Sequence, residues 1–354
     1  MQQDPSSLDQ LEQRLGANWS NLREAKRLAL EKQAQLREAL VEFQSEDASI
    51  VVFGSLSREE FTEHSDLDWT LLIDGAADPQ HVPLARKIKA AIKPIQGKEP
   101  GREGTFGTMA FSHELVHQIG GQNDTNKNTT LRLLLLLESC CVSRDEAYRR
   151  VIRNVLIRYL FEDRGLWSQS KHRVPRFLQN DFARYWRTIA VDFAFKQRDR
   201  GGEGWAIRNM KLRISRKLIY VSGLLGCFRC HLDFTPANWA ALSTSKDREQ
   251  LLVDYLGKVF EATPLEILSE MLLRFPHLAP ASRVILDAYD GFVGVLADGD
   301  KRERLEQLTE DEANSDEVYQ TTRRLSHAFR DGLLGLFFDQ ESGLDDLTKN
   351  YGVF

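Results

Sequence analysis

Long apolar runs are missing from this sequence. The longest, Leu133–Leu137, is five residues bracketed by Arg132 and Glu138. A bilayer-spanning helix needs about 20, so a membrane span is excluded. Cysteine is scarce as well: there are four, and Cys140 and Cys141 are adjacent, which rules out a disulfide scaffold and fits a reducing cytoplasm. Cys227-Phe-Arg-Cys230-His231 has the spacing of a c-type haem attachment site. It follows the largely apolar stretch 218–225, however, with no second Cys/His pair nearby. Buried structural cysteines are the expectation. Met1 to Ser20 is polar and lacks the charged-then-apolar layout of a signal peptide. Positive charge is not in excess, since 47 Lys and Arg stand against 52 Asp and Glu for a net −5. That excludes a general nucleic-acid coat but not a local basic groove. Internal repeats and low-complexity segments are also missing.

What is present is an ordinary globular composition, 42% hydrophobic and 28% charged, able to bury a core. Leu8, Leu11, Leu15, Trp19 and Leu22 recur at helical spacing, continued by Leu28, Leu36, Leu40 and Phe43. Ile50-Val-Val-Phe53 reads as a buried strand ended by Gly54-Ser55. Between Leu67 and Ile73 the side chains alternate, with Leu67, Trp69 and Leu71 on one face and Asp68, Thr70 and Leu72 on the other. A helix is expected over Pro83–Ile95, with Pro94 near its end, and a third strand over Phe106–Phe111. Asn123–Asn128 supplies caps for an apolar helix from Thr129 to about Cys140. From Arg144 onward the period is 3.6, with Gly201-Gly-Glu-Gly204 as a joint. The pattern predicts an α+β chain in three segments: a helical 1–45, a mixed α/β 46–142 and a helical 143–354.

The chemistry concentrates in Val51-Val-Phe-Gly54-Ser55-Leu-Ser-Arg58, followed by Ser65-Asp66-Leu67-Asp68. A strand ending in Gly-Ser lets backbone N–H groups and a small hydroxyl approach an anion with no Cβ in the way. Arg58 could add a bidentate charge to a phosphate. Asp66 and Asp68 stand two apart at the start of a strand, so both carboxylates leave one face. Hard oxygen donors at this spacing suit Mg²⁺, which takes one or two carboxylates plus substrate phosphates. An Asp-x-Asp or a Gly-Ser alone is common at solvated strand ends. The two together, in strand–turn–strand context, point to metal-assisted phosphoryl or nucleotidyl transfer.

This segment resembles the nucleotidyltransferase superfamily that includes DNA polymerase β. In motif it is closest to the PII uridylyltransferase and glutamine-synthetase adenylyltransferase branch and related bacterial nucleotidyltransferases. The resemblance is specific over Ile50–Asp74 and looser over Asn123–Arg132; beyond Arg144 only the helical character is shared. It implies a small mixed-sheet catalytic domain followed by an all-helical domain that closes the cleft. It further implies Asp66 and Asp68 as metal ligands for Mg²⁺ or Mn²⁺, with Gly54, Ser55, Arg58 and Ser65 on the nucleotide. The expected substrate is an NTP, ATP or UTP, with a protein or small molecule as acceptor and nucleic acid less favoured. The family places a third carboxylate on a later strand, but Phe106–Ser112 holds no acid. Glu114 serves if that strand extends far enough, and Glu103 on the preceding loop is the other choice. Lapsed catalysis with retained nucleotide binding, or an RNA-directed transferase, are the rival readings.

Two further features bear on binding. His113 and His117 lie on an expected strand-to-loop stretch and read as structural or exposed. From Lys171 to Tyr220, 13 Lys and Arg meet only four acids. Within this stretch Lys211, Arg213, Arg216 and Lys217 recur at helical spacing. In the family a helical lobe adds basic side chains to the triphosphate, which implies Lys211, Arg216 and Lys217 as nucleotide contacts; a solvated basic helix face is the plainer reading.

Overall fold

A computed structural model of the chain describes residues 5–95, 109–167, 172–199 and 201–352. The fold is α+β, with one small mixed sheet near the N-terminus and helices over the rest. No helix among the described residues is long and apolar enough to cross a membrane.

The chain divides into two compact units that interleave in sequence. One gathers Met1–Glu24, Lys171–Asp233 and Pro264–Phe354, the other Ala25–Ser170 and Phe234–Thr263. These boundaries cut across the successive segments expected at 45 and 142. The expected first helix is two, α1 (Ser7–Leu15) and α2 (Ser20–Ala39), separated where Gly16 adopts φ +55° as the cap of α1. In the first unit, α1 and the start of α2 are tied to the C-terminal third. Trp19 Nε1 donates to Asp287 at 2.8 Å, and the Leu22 amide donates to Asp290 at 3.0 Å.

The second unit is built on the sheet β3-β2-β1-β4. β1 (Ala48–Phe53) pairs antiparallel with β2 (Asp68–Ile73) and with β4 (Ser139–Cys141), and β2 pairs parallel with β3 (Met109–Phe111). The alternation expected for β2 is observed. Leu67, Trp69, Leu71 and Ile73 join Ile50 and Val52 in a core closed by Ala29 and Leu36 of α2 and by Leu40 just after it. Ile88 and Ile92 of the helix α4 (His81–Ile92) complete it; the short helix α3 is Gly54–Ser57. Val51, Phe53, Thr70 and Leu72 line the opposite face and are buried too. α5 (Ser112–His117), α6 (Asn126–Leu137) and α7 (Glu146–Glu162) follow in sequence. α7 packs on β1 and β2 and also takes the helix Arg248–Phe260 against it, which draws that distant segment into this unit.

A buried ion pair fixes the start of α6. Arg132 is fully buried and donates through both terminal nitrogens to Asp124, at 3.1 and 3.0 Å, while its Nε donates to the Tyr159 hydroxyl at 2.7 Å. Thr125 caps the helix by accepting from the Asn128 amide. The polar run 123–128 is therefore committed locally, as the capping reading expects. The helix stops at Leu137, and Ser139–Cys141 forms the fourth strand instead of a last helical turn. Cys227 and Cys230 are buried free thiols, and burial pushes Cys230 well above the usual thiol range.

Candidate functional site

β1 is buried along its whole length and delivers the chain to Gly54. Gly54 has φ +70°, a conformation that favours glycine. It opens α3, whose Leu56 is fully buried and anchors the turn from below. A Cβ at Gly54 would sit 3.4 Å from the Asp68 Oδ2. The register explains why: Phe53, just before the glycine, is the cross-strand partner of Asp68. The second aspartate of the motif thus stands beside the turn, in the direction a side chain on Gly54 would take.

Asp66 and Asp68 flank the buried Leu67 and are both partly exposed. They lie on the face that β1 and β2 otherwise keep buried through Thr70 and Leu72. Both carboxylates are partly exposed at the end of that face where the Gly54 turn stands. Two carboxylates there, without sulfur or imidazole, form an oxygen donor set of the kind Mg²⁺ accepts.

Arg58 is 8% exposed and bridges two carboxylates, at 2.9 Å from Nε to Glu60 and through Nη1 to Glu138. Their side chains are only 5% and 1% exposed. Its charge is therefore engaged by two buried carboxylates where a phosphate contact was expected, an arrangement that braces the turn. The bracing is local and dense. Ser57 Oγ donates to the Glu138 carbonyl at 2.6 Å, Gln33 donates to the Leu56 carbonyl at 3.0 Å, and the Glu60 amide donates to the Ser55 carbonyl at 2.8 Å. Glu59, between Arg58 and Glu60, is the one non-glycine residue with positive φ among the described residues, at 60°. This backbone is over-determined around the turn.

Ser65 also departs from expectation. It is buried, and its hydroxyl accepts from the Thr62 amide at 3.1 Å and meets the Thr62 hydroxyl at 3.0 Å. Ser65 closes the loop that delivers Asp66, its hydroxyl engaged by Thr62. Ser55 is partly exposed.

Glu114 does not extend the third strand: β3 ends at Phe111, and Glu114 lies exposed in the first turn of α5. β3 runs parallel to β2 and pairs Met109 with Leu71 and Phe111 with Ile73. Residues following Phe111 therefore leave from the end of β2 opposite to Asp66 and Asp68. Glu103 lies outside the described residues. Among the described residues, no group of three or more His, Cys, Asp or Glu is gathered as a metal site. Glu114→Gln is accordingly expected to leave turnover within about twofold, as for an exposed surface change; a steady-state assay checks this. α5 places His113 and His117 on a helix instead of a strand-to-loop stretch; they share a helix face, with rings 5.0 Å apart, and are exposed as read.

Lys211, Arg216 and Lys217 belong to the other unit. Lys211 ends the helix Trp205–Lys211, Arg216 closes a π-helical turn over Leu212–Arg216, and Lys217 begins the helix Lys217–Leu232.

Residues 34–113 match a family model described as a nucleotidyltransferase domain. The match takes in the end of α2, the Gly54 turn, both aspartates and β3. Comparison with curated proteins and with solved structures finds no match.

Proposed function

We propose that the chain is a Mg²⁺-dependent nucleotidyltransferase that moves a nucleoside monophosphate from an NTP, ATP or UTP, to a protein or small-molecule acceptor. The observation that carries this reading is that the Asp68 carboxylate stands where a side chain on the positive-φ Gly54 would reach. This supports an anion-accepting turn beside a metal-accepting pair at the end of a buried sheet face. The nucleotidyltransferase domain match over the same residues supports transfer of this class.

In this reading Asp66 and Asp68 hold the metal, and Gly54 and Ser55 hold the β- and γ-phosphates. When bound, Mg²⁺ supplies charge neutralisation for the triphosphate. The protein's own residues do the positioning. The Gly54 amide and Ser55 hydroxyl orient the phosphate chain, while Arg58, Glu60 and Glu138 keep that turn from moving. The acceptor oxygen loses its proton and bonds to the α-phosphorus as the bond to pyrophosphate breaks.

A second reading is nucleotide binding without turnover, and the position of Glu114 favours it. Paired labels separate the two. With α-labelled NTP the acceptor becomes labelled, and with γ-labelled NTP the label leaves as pyrophosphate. An NTP that binds but delivers neither label to those products makes the protein a nucleotide sensor.

A further inference from the structure

We propose that the unit containing 171–233 and 264–354 carries its own binding site for a compact polyphosphate anion, formed by Arg213, Lys217, Arg323 and His327 with Arg330 at its edge. This site is independent of the transfer reaction and rests on different residues from the Gly54 turn.

The π-helical turn Leu212–Arg216 packs against the helix Glu317–Phe337. Arg213 and Lys217 are four apart on one side of that contact. Arg323, His327 and Arg330 recur at spacings of four and three on the other. Residues so spaced share a helix face, and two cationic faces therefore meet. The electrostatics record the meeting: Arg213 and Arg330 both act on Lys217, and Arg213, Arg323 and Arg330 all act on His327.

Arg213, Lys217, Arg323 and His327 are partly buried, yet among the described residues their side chains make no hydrogen bond or ion pair. Arg330 has a partner, Asp331, at 2.7 Å, and that carboxylate is the charge opposing the cluster at Lys217 and His327. Burial, then Arg213 and Arg330, hold the Lys217 ammonium below its ordinary value. Partly buried like charges cost stability unless an anion sits among them.

The ligand's chemistry follows from the donors. Guanidinium forks match phosphate oxygens in bidentate pairs, and Lys adds a point charge. Two guanidinium groups, an ammonium and a histidine brought together by two packed helical segments call for several negative charges in one small group. A π-helical turn often marks a functional position in a helix, and here it carries Arg213. Whether the anion is an inorganic polyphosphate or the phosphate chain of a nucleotide is a matter for the experiment.

The test is calorimetric titration of the full chain, without Mg²⁺ and at physiological salt, with inorganic tripolyphosphate and separately with ATP. Tripolyphosphate is expected to bind in the micromolar range. Arg213→Gln/Lys217→Gln/Arg323→Gln should weaken binding by about tenfold or more, since charge-assisted pairs are lost. The same variant should melt no lower than the parent without ligand, because repulsion is relieved. If it does not fold, Lys217→Gln and Arg323→Gln singly carry the same criterion. Equal affinities for ATP and tripolyphosphate identify the phosphate chain as the recognised group; tighter ATP binding adds the nucleoside. Asp66→Asn/Asp68→Asn should leave tripolyphosphate affinity unchanged. Three results would overturn the proposal: no binding to the parent, equal binding to the glutamine variants, or an affinity altered by the aspartate variant. A fourth is single-stranded RNA binding more tightly than tripolyphosphate, with a steep salt slope.

Discussion

Asp66→Asn and Asp68→Asn are each expected to lower nucleotidyl transfer by about 10³-fold or more, since charge stabilisation by a bound metal would contribute several kcal/mol to the transition state. Both residues are partly exposed at the open end of the β1–β2 face. Asparagine keeps the shape and removes the charge, so the fold is expected to persist. The core beneath supports this: Leu67 and Trp69, on the opposite face, are each 1% exposed and carry the packing. Initial rates with saturating Mg²⁺, alongside circular dichroism, check both halves. Wild-type turnover in either variant would contradict a two-carboxylate site.

Arg58→Met is expected to lower unfolding free energy by about 3–5 kcal/mol, the cost of breaking a buried ion pair from one side. The variant leaves Glu60 and Glu138 in a protein interior without the guanidinium that neutralises them. Arg58→Lys recovers only part of the loss, because a single ammonium cannot reproduce the planar fork that faces two carboxylates. Urea unfolding measures the stability term. Nucleotide affinity separates the two roles considered for this residue. A phosphate ligand would lose NTP affinity with stability unchanged, whereas a brace loses stability first. The second pattern is expected, since the Ser57 hydroxyl also binds the Glu138 backbone and the turn shares one support.

Much of the site was legible because its signals are local. The β-branched run before Gly54, the period-2 alternation through Leu67–Ile73, and the two aspartates all lie within a short segment. What the sequence hid depends on partners far along the chain. Arg58 reads as a spare cation beside a phosphate turn until Glu138, 80 positions away, takes it. Ser65 reads as a free hydroxyl until Thr62 engages it. Ser139–Cys141 is too short to show alternation, and Ser112–His117 too short to show a helical period, which is how Glu114 came to be expected on a strand. The interleaving of the two compact units was hidden for a related reason. Helices 236–244 and 248–260 carry the same 3.6 period as their neighbours, and only their packing assigns them to the sheet-bearing unit. The basic residues at 213 and 217 were visible in sequence. The second half of their cluster, 323–330, was not, because a contact across more than 100 positions leaves no local trace.

The central claim is that Asp66 and Asp68 accept a divalent metal together with the triphosphate. Electron paramagnetic resonance of Mn²⁺ in the presence of an NTP analogue blocked between the α- and β-phosphates tests it most directly. The account predicts nucleotide-dependent Mn²⁺ binding by the wild type and its loss in Asp66→Asn/Asp68→Asn. Equal Mn²⁺ binding by both proteins, with the analogue present, would contradict it.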